Sequence, residues 1–315
     1  MTSQPSAARP GAGSLPGASS TTDEPSRRRG KRRPVGGGRS IVLTIALIAC
    51  AAYFLLPLVW LVIASTKSNS DLFSTFGLWF ADFHLLENLQ DVFTFQSGIY
   101  ASWLRNTILY AVVSGVGAAA LATAAGYAFA KLYFPGGNAL FAIILGAIMV
   151  PLTALAVPTY LLFSKVGLTD TPWAIILPSL VSPFGVFLMR VYAAGAIPDS
   201  LLEAARVDGA SEARIFFSVA LRLLAPGFVT VLLFALVATW NNYFLPLIML
   251  NSPEYFPLTV GLAQWQATSA AGSGSQALFS MVITGSLVSI VPLVVAFLFL
   301  QRYWQSGLAT GGVKH

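Results

Sequence analysis

The sequence predicts an all-α, polytopic membrane protein with six transmembrane helices. Of its 315 residues, 56% are hydrophobic and only 10% are charged, and the mean hydropathy is +0.73. Soluble domains carry about 25% charged residues, so this much apolar surface belongs in lipid. Six apolar stretches, at 41–64, 106–130, 139–164, 172–194, 226–249 and 279–301, are each long enough to cross ~30 Å of hydrocarbon at ~1.5 Å per residue. Of the 18 Lys and Arg residues, all but Lys67, Arg105 and Lys165 fall on one side of spans so drawn. The positive-inside rule then puts both termini in the cytoplasm and the chain in the plasma or inner membrane.

Residues 1–40 are rich in Gly, Pro, Ser and Arg and read as a disordered basic cytoplasmic tail that orients the first helix. No aromatics interleave its run Arg27, Arg28, Arg29, Lys31, Arg32 and Arg33, so nucleic acid is not an expected partner. Residues 41–315 read as the six-helix transmembrane domain. Leu47-Ile48-Ala49-Cys50 looks like a lipoprotein cleavage box, but the apolar run continues to Ala64 and reads as a span. Cys50 is the sole cysteine and permits no disulfide within the chain. The first outer loop, roughly 65–104, holds Asp71, Asp82, Glu87 and Asp91; short interfacial helices are expected there, with Trp79 and Trp103 near headgroup level. Pro151, Pro158, Pro178, Pro183, Pro246 and Pro292 lie in or beside spans, where each removes a donor and favours a kink. Ala118, Ala122 and Gly126 are spaced for close helix packing.

The most polar part of the membrane domain is the inner loop at about 195–225. Pro198 suits a first helical turn, and Asp199 and Glu203 suit its positive end. Leu201, Leu202, Ala205 and Val207 give that short helix an apolar flank. Asp208-Gly209 signals a bend, with Gly209 free to take φ > 0. Ser211 then caps a second helix running from Glu212 through Ile215, Phe216 and Phe217 into the fifth span. A short helix, a bend and another helix on rigid spans make a knob suited to a partner's groove.

Glu203-Ala204-Ala205 followed by Asp208-Gly209-Ala210, Phe216, Leu221 and Pro226 resembles the EAA loop of ABC importer permeases. The wider wording resembles the sugar branch, in particular the smaller permease of maltose-type systems. It includes Tyr127-Ala-Phe-Ala-Lys131 with Phe134-Pro-Gly, Gly167-Leu-Thr-Asp-Thr-Pro-Trp173, Trp240-Asn241-Asn242-Tyr243-Phe244, and a tail of Gly307-Leu308 with Gly311-Gly312-Val313-Lys314. The resemblance covers about 41–315 and implies the type I ABC importer permease fold. It further implies a second homologous permease subunit, two ATPase subunits, an extracytoplasmic solute-binding protein and a sugar substrate. By the same resemblance Glu203, Ala204, Ala205, Asp208, Gly209 and Ala210 form the ATPase-coupling loop, and Gly307 and Leu308 belong to a tail touching the ATPases. Two features depart from the pattern. Leu221-Arg222 stands where Leu-Pro is common, and the long basic arm has no counterpart.

No catalytic residue is expected. A phosphate loop of the form Gly-x-x-x-x-Gly-Lys-Ser/Thr is missing from the sequence, so ATP and Mg would bind the partner ATPase subunits and this chain would carry no cofactor. His84 and His315 have no metal-ligand company. The competing reading is an ion-coupled secondary transporter of a small polar solute; the absence of a mid-span acid argues against it. For the sugar path, Trp240, Asn241, Asn242 and Tyr243 near the middle of the fifth span are candidates, since aromatic faces and amides suit sugar rings and hydroxyls. Interhelical hydrogen bonding is the plainer role for those amides.

Overall fold

In the computed structural model residues 41–271 and 278–311 are described, with residue 302 and residues 304–311 as backbone alone. The basic segment 1–40 and the closing Gly312, Val313 and Lys314 lie outside the described residues. The chain divides into two units between Ala51 and Ala52. The described part of the first, 41–51, is helical and opens α1 (Ile41–Ser65). Residues 41–60 of this helix are exposed, an arrangement that hydrocarbon tolerates because the helix satisfies its own backbone.

The remaining helices follow in order as α2 (Asn69–Ser74), α3 (Leu85–Thr94), α4 (Ile99–Lys131), α5 (Gly137–Ile148), α6 (Leu152–Lys165), α7 (Trp173–Ser179), α8 (Pro183–Ala196), α9 (Asp199–Val207), α10 (Glu212–Ile215), α11 (Leu221–Trp240), α12 (Phe244–Met249), α13 (Leu258–Ala270) and α14 (Phe279–Gly311). No strand occurs among the described residues. Among the described residues five stretches have spanning length and hydropathy, and the bent pair α5–α6, counted as one span, makes a sixth.

Four expectations need correction. The stretch 139–164 is not one helix: α5 and α6 meet at 105°. Pro151, extended at φ −61 and ψ 127, is the N-cap of α6 and has no N–H with which to continue α5. The stretch 172–194 is likewise interrupted, because Pro183 starts α8 afresh behind a Ser182 cap. The stretch 226–249 starts too late and ends too late, since helical backbone runs from Glu212 to Trp240 and then breaks. Finally, Trp103 lies not in an outer loop at 65–104 but inside α4, where it is 1% exposed.

Long-range pairing explains the last correction. The chain at 253–258 folds back onto α4, where four side chains of α4 satisfy its backbone. Trp103 Nε1 donates to Pro253 O at 2.8 Å, and Asn106 Nδ2 donates to Glu254 O at 2.7 Å and Phe256 O at 3.2 Å. Tyr110 Oη donates to Tyr255 O at 2.9 Å, and Thr107 Oγ1 accepts from Leu258 N at 2.8 Å. Irregular backbone at membrane depth needs such partners. Gly261 of α13 lies flat on the Trp103 ring, where a Cβ would overlap it.

α4 packs most extensively against α11 and α8. Ala118 and Ala122 are buried in this contact, and a methyl at Gly126 would fall 2.5 Å from Met189 Cβ and 2.7 Å from Arg190 N. Small residues here let two backbones nearly touch. At the end of α1, Asn88 Nδ2 donates to Ser65 O and Lys67 O, closing carbonyls the helix leaves open. Lys67, one of the three charges assigned to the outer side, is buried, with Nζ donating to Thr75 Oγ1 and Phe76 O.

A second tie joins the α6–α7 turn to the stretch after α12. Asp170 sits at φ 57 and donates its N–H to Met249 O at 2.8 Å. Its carboxylate accepts from Ser252 Oγ at 2.6 Å and from the N–H groups of Asn251 and Ser252, both at 2.9 Å. The Ser252 hydroxyl first, then these N–H groups, hold its carboxyl below the ordinary range. A lowered folded-state value means the contribution is complete above the unfolded carboxylate pKa of about 3.9 and fades as pH falls through the depressed value. Asp170→Gly and Asp170→Ala should both lower the thermal midpoint. The alanine variant should be the less stable by roughly 1 kcal/mol, because it keeps the left-handed strain that glycine relieves. In thermal unfolding, the gap between wild type and Asp170→Gly should narrow as pH drops from about 6 toward about 3. A gap independent of pH would contradict this assignment.

Candidate functional site

The loop between α8 and α11 is held by an apolar underside. Ile197, Leu202, Ile215 and Leu224 are buried in one cluster with Met189 and Tyr127, so the loop rests on α4 and α8. The Tyr127 ring packs on Phe216 at 5.2 Å between centroids. Lys131 Nζ, at the end of α4, meets Asp199 Oδ1 at 2.7 Å across the first turn of α9. That aspartate also complements the positive end of its helix.

The bend has a defined hydrogen-bond pattern. Pro198 is the N-cap of α9, and Asp208 ends the helix. Gly209 has φ +77; its N–H donates to Arg206 O and that of Ala210 donates to Ala205 O, both at 3.0 Å. This is a Schellman motif, in which the left-handed position favours glycine. Ser211 Oγ then accepts from Arg214 N at 3.4 Å and caps α10. The segment Phe216–Ala220 is a π-helical turn leading directly into α11. Arg222, one residue past Leu221, is exposed.

Across the bend, Arg206 Nε donates to Glu212 Oε1 at 2.6 Å, with Nη2 to Oε2 at 3.4 Å. The pair ties α9 to α10 from outside while the apolar cluster ties them from inside. Glu203, Ala204, Asp208 and Gly209 are exposed, and Ala205 and Ala210 are half-buried. Val207 is 87% exposed and Phe217 67% exposed beside these charges. The structure thus brings Glu203, Ala204, Ala205, Asp208, Gly209 and Ala210 together on one rigid projection. Sequence reasoning missed the Arg206–Glu212 and Lys131–Asp199 pairs. A spacing of six residues across a turn matches no helical i, i+4 pattern, and the second pair joins segments 68 residues apart.

The other candidates are placed differently. Asn241 and Asn242 are not inside a continuous span but at the end of α11. Asn241 Nδ2 donates back to Val237 O at 2.9 Å, and Asn242 Oδ1 accepts from Leu245 N at 3.4 Å. Asn241 supplies a donor to a carbonyl in the last turn of α11, and Asn242 accepts an N–H from the first turn of α12, so both amides close local backbone. Trp240 is 8% exposed inside the core, whereas Tyr243 is 42% exposed. Gly307 and Leu308 continue the backbone of α14, and their side chains lie outside the described residues. Among the described residues no three His, Cys, Asp or Glu residues are grouped to hold a metal. His84 Nδ1 pairs with Glu87 Oε2 at 2.7 Å.

Residues 122–306, more than half of the chain, match the family described as binding-protein-dependent transport system inner membrane component. The chain belongs to this family. Among its relatives, the arabinooligosaccharides transport system permease protein AraQ of Halalkalibacterium halodurans is 35% identical over 277 residues, 87% of this chain and 96% of its own length. The maltodextrin transport system permease protein MdxG of Bacillus subtilis is 30% identical over 257 residues, 81% of this permease and 89% of MdxG. A solved bacterial ABC transporter involved in import of the acidic polysaccharide alginate matches with a TM-score of 0.72 at 25% identity, covering 84% of this chain and 95% of that one. The permease is therefore a multi-pass membrane protein of the ABC importer permease fold.

No atom lies within 4 Å of a Cβ built at Gly209, so substitution there costs conformation and not space. Gly209→Ala should destabilise the bend by about 1 kcal/mol and Gly209→Asn by less, because asparagine tolerates the left-handed region. Hydrogen exchange at the Gly209 and Ala210 amides reads this directly: faster in the alanine variant, intermediate in the asparagine variant. Equal rates in all three proteins would mean the bend does not need its glycine.

Proposed function

We propose that this permease is one of two membrane-spanning halves of an ATP-driven sugar importer, passing a mono- or oligosaccharide from an external binding protein to the cytoplasm by alternating access. The observation that carries this reading is the projection at 197–225, which is anchored by Leu202 and Ile215 below and offers Glu203, Val207 and Gly209 above. A part that must transmit the motion of an ATPase to the spans has to be rigid and exposed at once, and this one is both. The cargoes named for AraQ, MdxG and the alginate importer favour a saccharide here. The partners in this reading are a second, homologous permease, two ATPase subunits that carry ATP and Mg, and a solute-binding protein. The basic face, with both termini, is cytoplasmic, and the end of α4 near Gly98 faces outside. An ion-coupled transporter would need no such projection.

The test is transport by the reconstituted assembly in vesicles, with ATPase co-purification followed for each variant. Glu203→Ala and Gly209→Pro should abolish uptake and loosen the ATPases. Both variants should still insert and pair with the second permease, because neither residue lies in a span. The permease alone should hydrolyse no ATP and take up no sugar. Normal uptake by both variants, or uptake by the lone permease driven by a proton gradient, would overturn the reading.

A further inference from the structure

α4 ends at Lys131 and α5 begins at Gly137, and both belong to stretches of spanning length and hydropathy. The turn between them therefore lies at the membrane boundary. A cavity of about 210 Å³ opens there between this turn, the last turn of α4 and α8. Phe129 and Phe134 line it, their ring centroids 5.6 Å apart, together with Tyr133, which is 100% exposed. An aromatic ring with a polar tip suits headgroup depth. Gly136 has φ +79, and a Cβ built there would meet nothing within 4 Å, so the turn is open to its surroundings.

Arg190 is the one charged residue lining this cavity, and no carboxylate joins it there. It lies on α8 six residues before Ala196, ~9 Å at ~1.5 Å per residue, and so below the end of its span. Its backbone is held in place, because Arg190 N lies directly against Gly126 of α4. The guanidinium carbon sits 3.8 Å from the centroid of the Phe141 ring, a cation–π contact that offsets part of the cost of a charge beside hydrocarbon. No oxygen offsets the rest. Among the described residues Arg190 makes no ion pair, and none of the five guanidinium N–H donors has an acceptor. The acid on the first turn of α9, Asp199, is taken by Lys131 at 2.7 Å. The side-chain amide of Asn138, exposed and lining the same cavity, is also unengaged. Charges in spans find a partner or face a polar cavity. A half-buried guanidinium beside an open cavity, with no acid in reach, points to an anion from outside the chain.

We propose that this cavity binds the phosphate of an anionic lipid headgroup, with the Arg190 guanidinium forked onto two phosphate oxygens and the Asn138 amide on a further headgroup oxygen. The chemistry fits, because the planar fork of an arginine matches phosphate geometry and basic pockets between spans take acidic headgroups. The place fits, because lipid phosphates concentrate at the boundary where α4 ends and α5 begins. The size fits as well: at ~30 Å³ per water the cavity holds about seven waters, room for a phosphate and its glycerol and too little for a helix of a partner protein. A free phosphate ion would satisfy the same fork. The lipid is favoured because Phe129, Tyr133 and Phe134 offer apolar surface that glycerol and acyl carbons can cover and a bare ion cannot. The proposal requires only that the chain lie in a membrane, and depends on neither its cargo nor its orientation.

The probe is dioleoyl phosphatidylglycerol, titrated into nanodiscs of dioleoyl phosphatidylcholine that hold the full-length permease with its partner subunits. Bound lipid is counted by native mass spectrometry. The wild type should retain phosphatidylglycerol saturably, and Arg190→Gln should weaken that binding about tenfold, the effect of a lost charge-assisted hydrogen bond. Arg190→Lys should fall between the two, because it keeps the charge and loses the fork. Asn138→Asp guards against a folding artefact. It is an exposed change, and an acid in the first turn of α5 favours that helix, yet a carboxylate set against the phosphate should weaken the lipid about tenfold. Arg105→Gln, exposed near the other end of α4, should change nothing. Phosphatidylglycerol retained no better than phosphatidylcholine, or retained equally by wild type, Arg190→Gln and Asn138→Asp, would overturn the proposal. Displacement of the lipid by millimolar inorganic phosphate would make this a site for a free ion and overturn it too. So would a photo-cross-link from position 138 to a partner subunit with no lipid retained, which would make the cavity a protein interface. Bound lipid, not sugar uptake, is the readout, so failure of the importer reading would leave this result standing.

Discussion

At Gly126 the backbone of α4 lies directly against that of α8, and much of the architecture depends on this contact. A methyl there would lie 2.5 Å from Met189 Cβ and 2.7 Å from Arg190 N, so no side chain at all is admissible. Lipid offers no hydrophobic drive to press helices together, so their association must come from close packing and from hydrogen bonds. Gly126 supplies the packing, and Ala118, Ala119 and Ala122 extend it along the same helix as fully buried small residues. Because α8 is held so tightly on α4, the chain leaving α8 at Ile197 starts from a fixed position, and α9 inherits it.

That fixed start gives the projecting loop its stiffness. Apolar contacts below, the Arg206–Glu212 pair above and the hydrogen-bonded bend at Gly209 restrain α9 and α10 from three directions. The ion pair is exposed and contributes little to stability on its own; its value is orientation. Through α11 the loop continues as helical backbone to Trp240, with a π-helical turn at Phe216–Ala220, a feature found often at functional positions. α4 carries the same connection to the other end of the bundle, where its polar side chains grip the backbone of 253–258.

Much of this is legible in the sequence, for reasons that are local. Apolar length locates the spans, Asp208-Gly209 locates the bend, and Ser211 locates the cap, since each depends on neighbours within a few residues. The failures share a different cause. Trp103 reads as a headgroup anchor because its partners, Pro253 and Gly261, lie about 150 residues away, and no periodicity reports them. Pro151 breaks its span whereas Pro158 stays inside α6, and Pro178 stays inside α7. In the sequence all three are prolines in apolar surroundings, and tertiary contacts decide which one ends a helix. Asn241 and Asn242 read as mid-span residues because apolar length alone carries the fifth span past Trp240, where the helix in fact stops.

The central claim is that the projection at 197–225 is the surface an ATPase subunit grips from the cytoplasm. Val207, 87% exposed at the end of α9, is the residue with which to test it. With Cys50 replaced by serine, Val207→Cys gives a single thiol in the chain. In membranes containing the whole assembly, a short thiol-directed cross-linker should join that thiol to the ATPase subunit. Phe54→Cys, exposed on α1, should give no such product. A transport-competent assembly in which Val207→Cys forms no cross-link, or reacts with an impermeant reagent in intact cells, would contradict the account.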